Sequence, residues 1–336
     1  MVTNISLNSD DFIGISLSKI PCNRDLASAV YIKVNEKFIK FKEAGDHIPE
    51  DKYNYFISMN VRELFVLKES AEIFFNAIDN YKKAEIVEKV LEVGESNRTI
   101  VEKFIDIRET VYEAFLEEAL SNETVDILKN QVIEFVATVK HKNPQAELFA
   151  KLSSLNNTIA EHSLNVANLS LLFGMASGQT HLHVLENLYM GALFHDYGKA
   201  KIPASILEKP VSFAYEKAMS EHPEAGVELL KKNGLISKQV LSIVLEHHEQ
   251  FGGVGFPKGL QGDAIYGLTK IVSVAIVFDN ICMNNRGKSS MYKNAIKVIE
   301  YDNGKQFDPS ILPRIIDVLK LGYGGYVRTR ERKELT

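Results

Sequence analysis

Two periodicities divide this chain. AVYIKV (29–34) and KFIKFK (37–42) alternate apolar and polar positions, and Asn35-Glu36 stands between them, which predicts a β-hairpin. A further apolar run, ELFVLK (63–68), follows the turn-rich AGDHIPEDKYN (44–54) and predicts another strand. Residues 1–67 are therefore expected to form a small β-rich domain. Its expected use is packing or dimerisation, with a second copy of the chain or a signalling partner acting through it.

The pattern then changes to helical spacing. EIFFNAI, AEIVEKVLEV, FIDIRETVYEAFLEEAL and VDILKNQVIEFVATV each repeat apolar residues every three or four positions, so 68–147 reads as a helical connector. Ser121 suits the N-cap of its last helix, with Glu123 near the positive helix end, and Asn143-Pro144 marks a break. From 148 to 322 helix follows helix, punctuated by Gly174, Gly198, Pro203, Pro210, Pro223, Gly234, the glycines from 252 to 262, and Pro309. Residues 323–336, ending RTRERKELT, read as a charged, solvated tail. The expected fold class is mainly α: a helical bundle with a small N-terminal β-rich domain.

Composition narrows the function. The 336 residues are 45% hydrophobic and 25% charged, ordinary for a folded protein with a sizeable core. A formal net charge of −5 argues against a surface that coats DNA or RNA. Cys22 and Cys282 are far apart and read as free thiols of a reducing compartment. The N-terminus lacks a basic region followed by an apolar stretch, and no window approaches 18 uncharged apolar residues, so a cytoplasmic protein without a membrane span is expected.

The chemistry lies in five of the nine histidines. His162 sits on the stripe Leu155, Ile159, His162, Val166, Leu169, and so faces a core. His247 follows Val240, Ile243 and Val244, and His248 follows Leu241, Val244 and Leu245. His222 precedes Pro223, which suits the first position of a helix running through Val227 to Lys232. His195-Asp196 ends the apolar run LYMGALF. A single inward histidine is usually a satisfied core residue. Five of them with a buried aspartate need a common partner, because unpaired imidazole and carboxylate are costly inside a core. A divalent metal supplies it. Nitrogen and oxygen donors suit iron, manganese, zinc, cobalt or nickel, and an aspartate next to a histidine can bridge two ions of the kind that activate water against phosphate esters. His47, His141, His181 and His183 show no such pattern and are expected at the surface or in structural roles.

In order, these residues resemble a known family. His162, then FHDYGK (194–199), EHPEAG (221–226) and HHEQFGGVGFPKGL (247–260) are similar to the motifs of HD-GYP domains over roughly 148–322. The resemblance implies an HD-type helical bundle with two divalent metals, commonly iron or manganese, that hydrolyses cyclic di-GMP. It implies that His162, His195 and Asp196 hold one metal. Asp196 would bridge to a second, held also by His222, His247 and His248. Lys199 would lie near the scissile phosphate as a point charge, and Gly255, Phe256 and Pro257 would line the ligand loop.

The sequence also departs from that pattern. Phe256 replaces the tyrosine of GYP and lacks its hydroxyl; Gly252 and Val254 replace an aspartate and a threonine. The position of the family's last metal aspartate falls on Ile276, and the nearest carboxylate is Asp279, about one helical turn on. Thr158 stands where a third-metal glutamate would be, so two metals are the upper expectation. Lys270 stands where the family often has an arginine, and Arg286 lies near another basic position that contacts ligand phosphates, so the resemblance implies that both bind substrate. Three functions follow from these comparisons: a cyclic di-GMP phosphodiesterase, favoured; a regulatory module that binds metal and nucleotide without hydrolysis; and a mononucleotide hydrolase, disfavoured by the retained glycine-proline loop.

Overall fold

The structure, a computed structural model, describes residues 9–333 apart from 60, 118, 155–157, 208 and 289. Two compact units emerge: residues up to Leu91 with 116–118, and Glu92–Phe115 with everything from Ala119 on.

In the first unit, β1 (Phe12–Ser16), β2 (Val30–Val34), β3 (Lys37–Lys42) and β4 (Glu63–Leu67) form one sheet in the order β1-β4-β2-β3, every pairing antiparallel. Asn35 and Glu36 close the β2–β3 hairpin with φ of 47° and 62°, the two left-handed residues of a turn whose twist matches the strands it joins. Ile15, Val30, Leu64 and Val66 face the core. α1 (Glu50–Ser58) lies on that core, where the Tyr53 hydroxyl donates to the Leu17 carbonyl at 2.8 Å. α2 (Ala71–Val93) follows the sheet.

The second unit is helical: α3 (Arg98–Leu116), α4 (Asn122–Lys142), α5 (Ala146–Leu152), α6 (Ile159–Ala176), α7 (Leu182–Phe194), α8 (Ala204–Leu207), α9 (Phe213–Lys231), α10 (Lys238–Glu246), α11 (Gly267–Asn284), α12 (Met291–Tyr301) and α13 (Leu312–Lys333). α4 starts at Ser121, whose hydroxyl accepts from Thr124 N at 3.0 Å, and ends at Asn143 in the left-handed region. α6 is buried along nearly its whole length and packs against α7 and α11. Glycine permits two of these approaches. A Cβ on Gly174 would meet Leu188 at 2.5 Å, and one on Gly191 would overlap Ile243 of α10.

One expectation needs revision. α9 begins at Phe213, capped by the Ser212 hydroxyl, so Pro223 lies inside it and not at its start. The charged run from 323 is helical as far as Lys333, and 334–336 lie outside the described residues, as does Leu155 of the His162 stripe. α11 is, among the described residues, the one helix long and apolar enough to cross a membrane. It is a largely buried element, packed on α6, α7, α10 and α12, which accounts for its apolar character.

A candidate metal centre

Four helices deliver one cluster. His162 comes from the first turn of α6, His195 and Asp196 from the end of α7, His222 from mid-α9, and His247 and His248 from the end of α10. Ligand atoms of Asp196, His222, His247 and His248 lie within 4.8 Å of one another, and so do those of His162, His195 and Asp196. Asp196 is common to both sets. Its Oδ1 lies 3.3 Å from His222 Nε2 and 3.5 Å from His247 Nε2; its Oδ2 lies 3.4 Å from His195 Nε2 and 3.8 Å from His162 Nε2. His195, His222 and His247 are each 3% exposed or less, too little for water to compensate unpaired nitrogens.

The outward nitrogens define the inward ones. His195 Nδ1 donates to the Ala192 carbonyl at 2.8 Å, His222 Nδ1 to that of Met219 at 2.6 Å, and His247 Nδ1 to that of Val244 at 2.8 Å. A carbonyl only accepts, so each neutral ring carries its proton on Nδ1 and turns a bare Nε2 lone pair inward. Those lone pairs crowd one another: His222 and His247 Nε2 are 3.0 Å apart, and His195 and His162 Nε2 are 3.2 Å apart. Asp196 Oδ1 and His248 Nε2 are buried without a hydrogen-bond partner. Converging lone pairs around a carboxylate are unfavourable unless cations sit among them, so this donor set fits divalent metals.

Electrostatics agrees. Burial pulls His195 down and His247 down to about 3, and it drives His248 further in the same direction, so these rings stay neutral, the form that binds a metal. Burial alone would raise the Asp196 carboxyl, but charged neighbours, the Lys199 ammonium 2.9 Å from Oδ2 among them, outweigh it and hold the group well below the usual carboxylate range. The sign of the resulting pH dependence is definite. Unfolded His247 titrates near 6.5 and the folded ring near 3, so the unfolded chain binds more protons between those values. The metal-free protein should therefore lose stability as pH falls below about 6.5, by up to about 1.4 kcal/mol per pH unit for each such ring. Urea midpoints taken in chelator from neutral to acid pH check this; a flat profile contradicts it.

Around the cluster, the Lys199 ammonium sits 2.9 Å from Asp196 Oδ2 and is partly exposed. Gly198 before it is forced by packing, since a Cβ there would run into the His222 carbonyl. The 252–262 loop is held by Glu249, buried at 3% exposure, whose carboxylate accepts from Lys258 N at 2.7 Å and Leu260 N at 2.9 Å. Gly253 and Gly259 take positive φ, and Gly255 packs so closely that a Cβ would lie 2.5 Å from backbone atoms of 248–250. Phe256 stacks on His248 with ring centroids 4.4 Å apart and planes 15° apart.

Three sequence-predicted residues stand elsewhere. Asp279 is not among the gathered ligand atoms: its Oδ2 lies 2.7 Å from His162 Nδ1, the outer nitrogen, and its Oδ1 accepts from Asn165 Nδ2 at 3.0 Å. One turn past Ile276, it reaches the back of the ring and not its inner edge. The Lys270 ammonium is held by Asp308 and Asp263, each at 3.0 Å, over the Phe251 ring, and so is already engaged by two carboxylates. Arg286 is exposed in the turn after α11. Sequence reasoning missed Asn165 and Glu249. Asn165 lies three residues past His162, also trades hydrogen bonds with the Ser154 backbone at 2.8 and 2.9 Å, and is 2% exposed; a buried amide one turn from a candidate ligand was the available signal.

Comparison with known proteins places this geometry. Residues 144–311 match the family described as HD domain. The cyclic di-GMP phosphodiesterase response regulator RpfG of Xanthomonas campestris is 38% identical over 138 residues, 40% of this chain and 35% of that protein. The 3'3'-cGAMP-specific phosphodiesterase 2 of Vibrio cholerae is 32% identical over 159 residues, 46% of this chain and 30% of that protein. The matches thus span about a third of these relatives' length. Among solved structures, Bd1817, an HDG"Y"P protein from Bdellovibrio bacteriovorus, shares the fold with a TM-score of 0.65 at 20% identity, covering 92% of this chain and all of that one.

Proposed function

The chain belongs to the HD domain family as an HD-GYP member, and from that premise we propose that it is a metal-dependent phosphodiesterase that hydrolyses cyclic di-GMP. The observation that carries this reading is the inward convergence of imidazole lone pairs on both oxygens of Asp196, beside a glycine loop pinned by Glu249. In this reading His162, His195 and Asp196 hold one divalent ion, and Asp196, His222, His247 and His248 hold another, iron or manganese in each case. Such ions polarise phosphoryl oxygens and lower the pKa of a water to near neutrality.

The chain's own groups do the rest. Asp196 fixes the spacing of the two sites, and its negative charge is set by its neighbours without a proton to lose. Lys199 has its ammonium on Asp196 and its edge toward solvent, so it can swing to a phosphoryl oxygen and offset charge as the ester bond breaks. Phe256, one face on His248, offers the other to a base, and the backbone of Gly255 and Pro257 shapes the loop around it. Lys270 acts one step back, tying α11 to Asp263 and Asp308.

One observation favours a second reading. With Ile276 buried and Asp279 behind His162, the first set has three candidate ligands among the described residues and no second carboxylate. A regulatory module that binds metal and cyclic dinucleotide without turnover would tolerate that. Full-length protein loaded with manganese or iron should convert cyclic di-GMP to the linear dinucleotide or GMP, faster than it attacks 3'3'-cGAMP or mononucleotides. Absence of turnover with either metal at full occupancy overturns the first reading, and tight calorimetric binding without products establishes the second.

A further inference from the structure

The three carbonyls that receive the Nδ1 protons share one property. Ala192 and Val244 lie in the last turns of α7 and α10, where helix geometry leaves carbonyls without an i+4 backbone donor. Met219 has no such excuse, because α9 continues to Lys231. Its i+4 residue, however, is Pro223, which has no N–H to give. We propose that Pro223 is a positioning residue of the metal centre: by withholding the donor that an ordinary residue would present, it leaves the Met219 carbonyl open to His222 Nδ1 and locks the ring with its Nε2 lone pair inward.

The geometry supports each link. The Nδ1-to-carbonyl distance at His222, 2.6 Å, is shorter than the 2.8 Å at either helix end. The ring is 2% exposed, so solvent does not compete for Nδ1. The His222 carbonyl is itself pressed on Gly198, and Gly226 N is close to the same glycine, which fixes this turn of α9 against the segment carrying Asp196. A proline in a helix interior is ordinarily destabilising. Here the lost backbone bond is replaced by an imidazole bond that selects one tautomer, the selection helix ends make for His195 and His247.

The proposal rests on the metal reading for its consequence but not for its mechanism, and the test separates them. Pro223→Ala restores an N–H that can close the bond to Met219. In the metal-free full-length protein, long-range ¹H–¹⁵N correlation spectra should show His222 wholly as the Nδ1–H tautomer in the wild type and as a mixture in the variant. Manganese titration by calorimetry should show affinity at the Asp196–His222–His247–His248 set falling about 10- to 100-fold, the usual cost of losing an outer partner. The melting temperature should hold or rise, because alanine suits a helix better. A purely structural proline predicts the opposite pairing: altered stability with tautomer and affinity unchanged. Placing the α-hydroxy analogue of alanine at 223, which also lacks an N–H, should restore the wild-type tautomer and affinity. Retention of the single tautomer in Pro223→Ala, with affinity within about threefold of wild type (about 0.65 kcal/mol), overturns the proposal. A tautomer shift in a protein whose wild type binds no manganese would instead remove the metal reading alone.

Discussion

Replacing Asp196 with asparagine should empty both halves of the cluster at once and abolish hydrolysis. Asparagine keeps the shape but removes the charge, and it presents an NH₂ to some of the nitrogens around it. Asp196 Oδ1 faces His222 and His247, and Oδ2 faces His195 and His162, and among the described residues it is the one whose ligand atoms belong to both sets. The loss should exceed the 10- to 100-fold change expected from an outer partner. Activity should fall to background with either metal, and the metal content of dialysed protein should fall with it. Asp196→Ala serves as the second variant, and circular dichroism establishes that either one has folded. Retention of one ion per chain by a folded variant would mean that Asp196 is not shared.

The second large effect concerns the two sets' inequality. The set built on His222, His247 and His248 offers four candidate ligands among the described residues, and the set built on His162 and His195 offers three, with Asp279 on the outer side of the His162 ring. Metal should therefore load in two steps. One ion should survive extended dialysis, and the other should exchange with the buffer, with an affinity lower by a factor of about 10 to 100. Ile276→Asp places a carboxylate one turn before Asp279 on the same face of α11. It should raise retention toward two ions per chain and raise the rate at limiting manganese. Asp279→Ala should do the reverse, freeing His162 to rotate. Equal, simultaneous loss of both ions on dialysis, or no response to Ile276→Asp, would show that the first set is completed some other way.

How much of this was legible depended on what periodicity encodes. The alternation on either side of Asn35-Glu36 was enough for the hairpin, since turn and strands are neighbours in sequence. The stripes through His162, His247 and His248 give the face each residue occupies, and faces are what bring rings from separate helices together. Periodicity is silent on which nitrogen of a ring points inward. That depends on carbonyls such as those of Ala192 and Met219. It is also silent on long-range pairs, which is why Asp279 was expected among ligands and stands behind one, and why Lys270 was expected at the substrate and is held by Asp308. Pro223 misled for a local reason. Proline most often opens a helix, and only the side chain before it explains why this one sits inside.

These lone pairs converge because they hold cations. Elemental analysis of the purified full-length chain, saturated with manganese or iron and then freed of excess, tests it most directly. Wild-type protein should carry about two ions per chain before dialysis and about one after it, with Asp196→Asn near zero in both. Wild-type protein that is folded and carries no more metal than Asp196→Asn would contradict it.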